Sequence, residues 1–244
     1  MQKRRVLLAL CGATMMFCFA FTQPARAALV VDPSGDVFNT GTIDIVGVTT
    51  TVSAGSVQFM INFAGAVSAP SAFAPNSVVG FVDLDTDQNS ATGGTAPWGG
   101  PVTGGNNWIN FFIPPNPGTP SIPGPLIGLG DEFYVDLGSE LFHPGLVDIV
   151  STATNLSTGV AAITYGGTSI TFSILLPLIG NDDGLLNYGA LVGDFLSPTD
   201  RIPNGALPAS TAAVVPEPAT VLLVGSGLIA LLRLGRRRSR AAAN

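Results

Sequence analysis

Between residues 28 and 200 no stretch keeps a 3.6-residue apolar period for three turns. Short runs of alternating character recur instead. The clearest is Val57–Phe63, in which Val57, Phe59, Ile61 and Phe63 are apolar and polar Gln58 and Asn62 flank Met60. That is a strand with one face in a core and the other largely toward solvent. Similar β-rich runs predict strands at Thr42–Val46, Val48–Val52, Ser56–Phe63, Ser77–Leu84, Trp108–Ile113, Glu132–Leu137, Leu146–Ala153, Gly159–Tyr165 and Ser169–Leu175. Gly, Pro, Asn and Asp punctuate them, and Asn181-Asp182-Asp183-Gly184 has turn chemistry. The expected fold is all-β: a single antiparallel β-sandwich, jelly-roll or Ig-like, over residues 28–200. Within it, residues 93–130 are loaded with Gly and Pro and read as one long insertion holding Trp98 and Trp108. From Ser197 the chain turns polar and Pro-containing, and residues 201–215 are expected to be a linker.

Composition narrows the function classes. Of 244 residues, 46% are hydrophobic and only 11% charged, with 30 Gly and 19 Pro, which excludes a coiled coil or helical bundle and argues against wholesale disorder. Charge is segregated: between Ala28 and Val215 a single base, Arg201, faces fifteen acids, a net charge of −14. Such a surface repels nucleic acid and attracts divalent cations.

Both ends read as addresses. Lys3, Arg4 and Arg5 precede an apolar stretch from Val6 to Phe21, and Ala25-Arg26-Ala27 forms a small-residue cleavage site. Residues 1–27 are therefore expected to be a signal peptide removed by signal peptidase, leaving Ala28 first. Cys11 and Cys18 would leave with it, so the mature chain has neither disulfide nor thiol. At the other end, Pro216-Glu217-Pro218 is followed by an apolar run from Ala219 to Leu232 and then by Arg233, Arg236, Arg237, Arg238 and Arg240. Residues 219–234 are expected to form a transmembrane helix. The run would cover about 21 Å as a helix, short of the ~30 Å hydrocarbon core, so Arg233 must snorkel. The arginines orient the tail toward the cytoplasm, which puts the middle of the chain outside the inner membrane.

The order Pro-Glu-Pro, short apolar helix with Gly225-Ser226-Gly227, arginine cluster over residues 216–240 resembles the PEP-CTERM sorting signal of Gram-negative bacteria. The resemblance implies recognition and cleavage near Pro216, Glu217 and Pro218 by an exosortase. It also implies a transient inner-membrane stage, then release to the cell surface or the exopolysaccharide matrix. A second resemblance lies in Asp32-Pro33-Ser34-Gly35-Asp36, Asp44-Ile45, the run Phe81 to Asn89 with Thr92-Gly93, and Leu176-Pro177-Leu178. These are similar to DOMON-like β-sandwiches, a group that includes carbohydrate-binding modules akin to family 9. That resemblance implies a sandwich over roughly residues 30–205. No residue here is matched to the family's aromatic sugar-binding positions.

The densest polar cluster is Asp83, Asp85, Asp87 and Asn89. Alternate strand residues share a face, so the carboxylates are expected to converge where a strand enters its loop. Converging carboxylates need a cation or heavy solvation, and Ca2+ takes six to eight such oxygens. A structural Ca2+ site and a solvated acidic turn both remain open. Asp32, Asp36 and Asp44 form a second acidic group, first of all a turn, and Asp182 with Asp183 a third. Trp98 and Trp108 are candidate platforms for sugar rings or pins for their loop. His143 is the single histidine and lies in a turn, no G-x-S-x-G occurs, and Glu132 and Glu140 are the only glutamates of the domain. The chain is therefore expected to be non-enzymatic: a surface or matrix protein contributing to biofilm structure. The alternatives are a module binding extracellular polysaccharide and a secreted hydrolase acting on glycans.

Overall fold

The structure is a computed structural model, and it describes residues 26–37, 41–53, 55–71, 74, 76–93, 129–195, 198–204 and 209–211. The strands are β1 (Arg26–Val31), β2 (Ile45–Ser53), β3 (Ser56–Phe63), β4 (Val79–Asp85), β5 (Phe133–Asp136), β6 (Leu146–Ser151), β7 (Leu156–Tyr165), β8 (Ser169–Leu175), β9 (Asn187–Gly193), β10 (Pro198–Ile202) and β11 (Ala209–Ser210). Short 3-10 turns lie at Leu137–Leu141 and Leu176–Ile179. All strand pairings are antiparallel and follow one path, β1-β2-β3-β8-β7-β6-β5-β4-β9-β10, with β11 on the same edge of β9 as β10.

The all-β antiparallel organisation is thus as expected, but the path is continuous rather than split into two separate sheets. Strand β7 is the reason. Its first part, Leu156–Ala162, pairs with β6, and its last residues, Ile163–Tyr165, pair with β8. A strand that changes partner along its length curls the sheet. A core fills the curl. Phe59 on β3 stacks on Phe172 of β8 at 5.3 Å, and Tyr188 of β9 meets Phe59 edge-on at 5.2 Å. Strands that are distant along the path thereby touch across the interior.

The alternation in β3 is realised: Val57, Phe59, Ile61 and Phe63 are buried, while Gln58 and Met60 are exposed. Strand β2 joins two predicted strands into one, with a register shift between Ile45 and Gly47. Gly47 is tolerated inside it because β1 runs close by; a Cβ there would lie 2.8 Å from the Val30 carbonyl oxygen. Strand β4 departs from the one-sided pattern, since all seven of its residues are buried. Val82 and Leu84 face the core, and Phe81, Asp83 and Asp85 alternate with them.

Four strands were not expected: β1, β9, β10 and β11. Two pieces of the segment predicted as a linker from residue 201 are instead paired in the sheet, Arg201–Ile202 in β10 and Ala209–Ser210 in β11, and Asp200 is fully buried. A polar stretch is held there by specific bonds. Thr199 Oγ1 donates to the Ile43 carbonyl at 2.6 Å, and Ile45 N donates to Asp200 Oδ2 at 2.6 Å. Strand β10 thereby meets the start of β2. Strand β1 begins at Arg26, two residues before the expected start of the mature chain. The predicted strand Trp108–Ile113, most of the insertion, the rest of the expected signal peptide and the expected transmembrane helix lie outside the described residues. Among the described residues no helix is long and apolar enough to cross a membrane.

Tyr188 generates a test. Its ring is fully buried against Phe59, and its hydroxyl meets no hydrogen-bond partner among the described residues. Tyr188→Phe is expected to leave the unfolding free energy unchanged or raise it, by up to about 1 kcal/mol, because an unpaired buried hydroxyl is removed. Tyr188→Ala is expected to cost about 3–5 kcal/mol through the cavity left in the core. Urea denaturation of both variants separates ring packing from hydroxyl.

Candidate functional site

Strand β4 delivers Asp85 to its end, fully buried, and the chain then turns through Thr86–Gly93. Gln88 and Gly93 take positive φ, 56° and 78°, which reverses the loop onto itself. The backbone on the other side of the insertion packs tightly here: a Cβ on Gly130 would lie 2.3 Å from the Asn89 carbonyl oxygen. The next residues bring in Glu132, whose backbone N donates to the Leu84 carbonyl at 3.1 Å.

Asp85, Asp87 and Glu132 each present a carboxylate oxygen within 4.8 Å of the others. Backbone and side-chain donors partly satisfy them. Asp85 accepts from Asn89 N at 3.0 Å and from Asn187 Nδ2 at 3.3 Å. Asp87 also accepts from Asn89 N at 3.0 Å. Glu132 accepts from Thr86 N at 2.8 Å. Thr92 Oγ1 lies 2.9 Å from both oxygens of Asp87 and 3.1 Å from Glu132 Oε1. A hydroxyl has one proton to give, so it cannot serve all of these at once. Asp131, only 8% exposed, adds a further acid whose Oδ1 meets no donor among the described residues. Burial, then Asp85 and Glu132, push its carboxyl up to about 7, and burial raises Glu132 as well. Such a group of hard oxygens suits a divalent cation of the Ca2+ class.

The expected ligand set is revised by this geometry. Asp85 and Asp87 come together. Asp83 lies one strand repeat back, fully buried and in register with Tyr134 and Gly189, and does not join the group. The Asn89 side chain accepts from Ala91 N at 3.2 Å within its own loop, so its backbone N–H serves the carboxylates rather than its side chain a metal. Glu132 was missed because it is separated from Asp87 by the whole insertion. Its signal was indirect: antiparallel pairing of the predicted strands on either side places Glu132 beside the end of β4.

The acidic group near the N-terminus also changes: Asp200 enters it, and Asp44 is not among the acids whose oxygens lie within 4.8 Å of one another. Asp32, directly after β1, and Asp36, in the turn that follows, lie with Asp200 of β10, carboxylate oxygens again within 4.8 Å. Asp32 is pushed up to about 7 by burial and by Asp200, Asp36 and Asp44, and Asp200 to about 6 by burial, against the N–H groups of Ile45 and Arg201. Asp182 and Asp183 form the expected turn, Asp183 Oδ1 accepting from Leu185 N at 2.8 Å. His143 is exposed, with Nδ1 3.9 Å from Asp148 Oδ2. Glu140 accepts from Gly145 N at 2.9 Å, which ties a turn. Trp98 and Trp108, Pro216, Glu217 and Pro218, and Arg233, Arg236, Arg237, Arg238 and Arg240 lie outside the described residues.

A pH dependence follows. Asp32, Asp131 and Asp136 are raised to about 7 and Asp200 to about 6. Asp136 owes its shift to burial, although Gly138 N and Ser139 N oppose it. Raised carboxyls hold protons in the folded state that the unfolded chain releases near pH 4. Their contribution to stability is complete below that pH and is lost as pH rises through about 6 to 7. In chelator, the melting temperature is expected to be higher at pH 5 than at pH 8. A melting temperature that rises steadily from pH 5 to pH 8 would contradict the shifts.

Comparison with known proteins bears on the tail. No curated protein matches the chain. Residues 214–238 match the family model described as the PEP-CTERM protein-sorting motif. The matched segment covers the Pro-Glu-Pro triplet, the apolar run and most of the arginine cluster. It implies export and membrane-associated sorting in Gram-negative bacteria, with processing by an exosortase. The chain therefore carries a PEP-CTERM sorting motif at residues 214–238, following an acidic all-β domain in the sequence.

Proposed function

We propose that this chain is an exported, non-enzymatic protein of the cell surface or exopolysaccharide matrix, where it contributes to matrix or biofilm structure. The observation that carries the reading is the sorting motif at residues 214–238, placed behind an all-β acidic domain. The absence of catalysis is supported by the engagement of the candidate groups: Glu132 holds Thr86, Glu140 holds Gly145, and His143 sits exposed on a turn. The finer steps are cleavage after Ala27 by signal peptidase, a passing anchor at residues 219–234, and exosortase cleavage near Pro216–Pro218. Intact mass of the surface-associated form tests them. The expected form starts at Ala28 and lacks Arg236–Arg240. A surface form that keeps those arginines would overturn exosortase processing.

In this reading the loop of Asp85, Asp87 and Glu132 holds a structural Ca2+. Extracellular modules bind Ca2+ with Kd around 10⁻⁴–10⁻³ M. At millimolar Ca2+ the gain is then on the order of 1 kcal/mol, a few degrees in melting temperature. Ca2+ is expected to raise the melting temperature more than Mg2+, and Asp85→Asn with Asp87→Asn to reduce that gain. A gain untouched by the two substitutions would remove the ion from this loop.

A further inference from the structure

The acids at the seam between the start of β2 and β10 are arranged differently from those of the loop. Four come from separate places: Asp32 directly follows β1, Asp36 lies in the turn after it, Asp44 precedes β2, and Asp200 lies on β10. Their donors are few. Asn204 Nδ2 donates to Asp32 Oδ1 at 2.7 Å and also to Asp36 Oδ2, so one neutral amide serves two acids. Asp44 Oδ2 accepts from Gly35 N at 2.9 Å and Ser34 Oγ at 3.2 Å. Asp200 accepts from Ile45 N at 2.6 Å and Arg201 N at 2.8 Å.

Two oxygens are left over. Asp32 is only 5% exposed, and its Oδ2 meets no donor among the described residues. Asp44 Oδ1 is likewise buried without one. A buried carboxylate oxygen without a donor is costly, and here one sits in a group whose oxygens lie within 4.8 Å. A positive ion between them would satisfy the leftover oxygens and relieve the repulsion together. The donors are all carboxylate oxygens, hard ligands with no nitrogen or sulfur among them, which selects a hard divalent cation. Asp32, Asp36 and Asp200 gather their oxygens within 4.8 Å and Asp44 lies near enough to repel Asp32 and Asp200, an irregular set from three backbone segments that fits the flexible shell of Ca2+ better than the strict octahedron of Mg2+.

We propose that Asp32, Asp36, Asp44 and Asp200 form a second Ca2+ site, separate from the β4 loop, that clamps the end of β1 and the start of β2 to β10. The ion ties the N-terminal strands to the last long strand before the sorting tail. It stands independently of the loop site, and the test separates the two.

Isothermal titration of the full chain in detergent with CaCl2 counts the ions. Two ions are expected for the wild type, one for Asp85→Asn with Asp87→Asn, and one for Asp32→Asn with Asp200→Asn. A single wild-type ion that survives Asp32→Asn with Asp200→Asn overturns the seam site alone. A single ion that survives Asp85→Asn with Asp87→Asn supports the seam site and overturns the loop. No binding overturns both. If Asp32→Asn with Asp200→Asn fails to fold, amide hydrogen exchange of the wild type decides. At a tenfold excess of Ca2+ over Kd, exchange at Ile45 and Arg201 is expected to slow ~tenfold. Exchange at those amides unchanged by Ca2+ overturns the site.

Discussion

Fifteen carboxylates and one guanidinium share the segment from Ala28 to Val215, so salt bridges cannot balance its charge. The acids bind the chain's own backbone instead. Asp44 takes the N–H of Gly35, Glu132 that of Thr86, Asp136 those of Gly138 and Ser139, Glu140 that of Gly145, and Asp200 those of Ile45 and Arg201. Each bond satisfies a donor that a turn or strand end would otherwise leave open, and charge on the acceptor strengthens it. The folding of the loops onto the sheet depends on this use of carboxylates. Its residue is a surplus of negative charge at two places where acids from different strands meet.

Those places follow from the topology. Antiparallel pairing of β4 with β5 returns Glu132 to the end of β4, where Asp85 and Asp87 lie. The curl introduced by β7 brings β10 round to the start of β2, so that Asp200 joins Asp32 and Asp36. A buried acid without a donor must take a proton or a cation. The raised carboxyls of Asp32 and Asp131 express the first choice, and Ca2+ is the second. Outside the cytoplasm, where the sorting motif sends the chain, the second is available.

The parts of the fold legible in the sequence were those in which one strand face is buried and the other is not. Val57–Phe63 and Ser169–Leu175 alternate, and both are strands. Strand β9 does not alternate, because six of its seven residues are buried whichever way they face. Pro198–Ile202 reads as loop because its polar residues, Thr199 and Asp200, are paid for by contacts with residues some 155 positions earlier. The same distance hid the sites. Asp85 and Asp87 were visible as neighbours, but Glu132 and Asp200 enter through pairings that no local spacing records. Asp83, two residues from Asp85, had the right spacing and the wrong depth, buried beside Tyr134 rather than at the strand's end. The sorting motif was legible because its order of triplet, apolar run and arginines is read as linear sequence.

The central claim is that unneutralised carboxylates at two meeting points of strands are completed by Ca2+. Anomalous difference density from crystals grown in CaCl2 locates such ions directly. The account predicts one peak among Asp85, Asp87 and Glu132 and another among Asp32, Asp36, Asp44 and Asp200, each with oxygen ligands at about 2.3–2.6 Å. Crystals from millimolar Ca2+ with no anomalous peak at either cluster would contradict it.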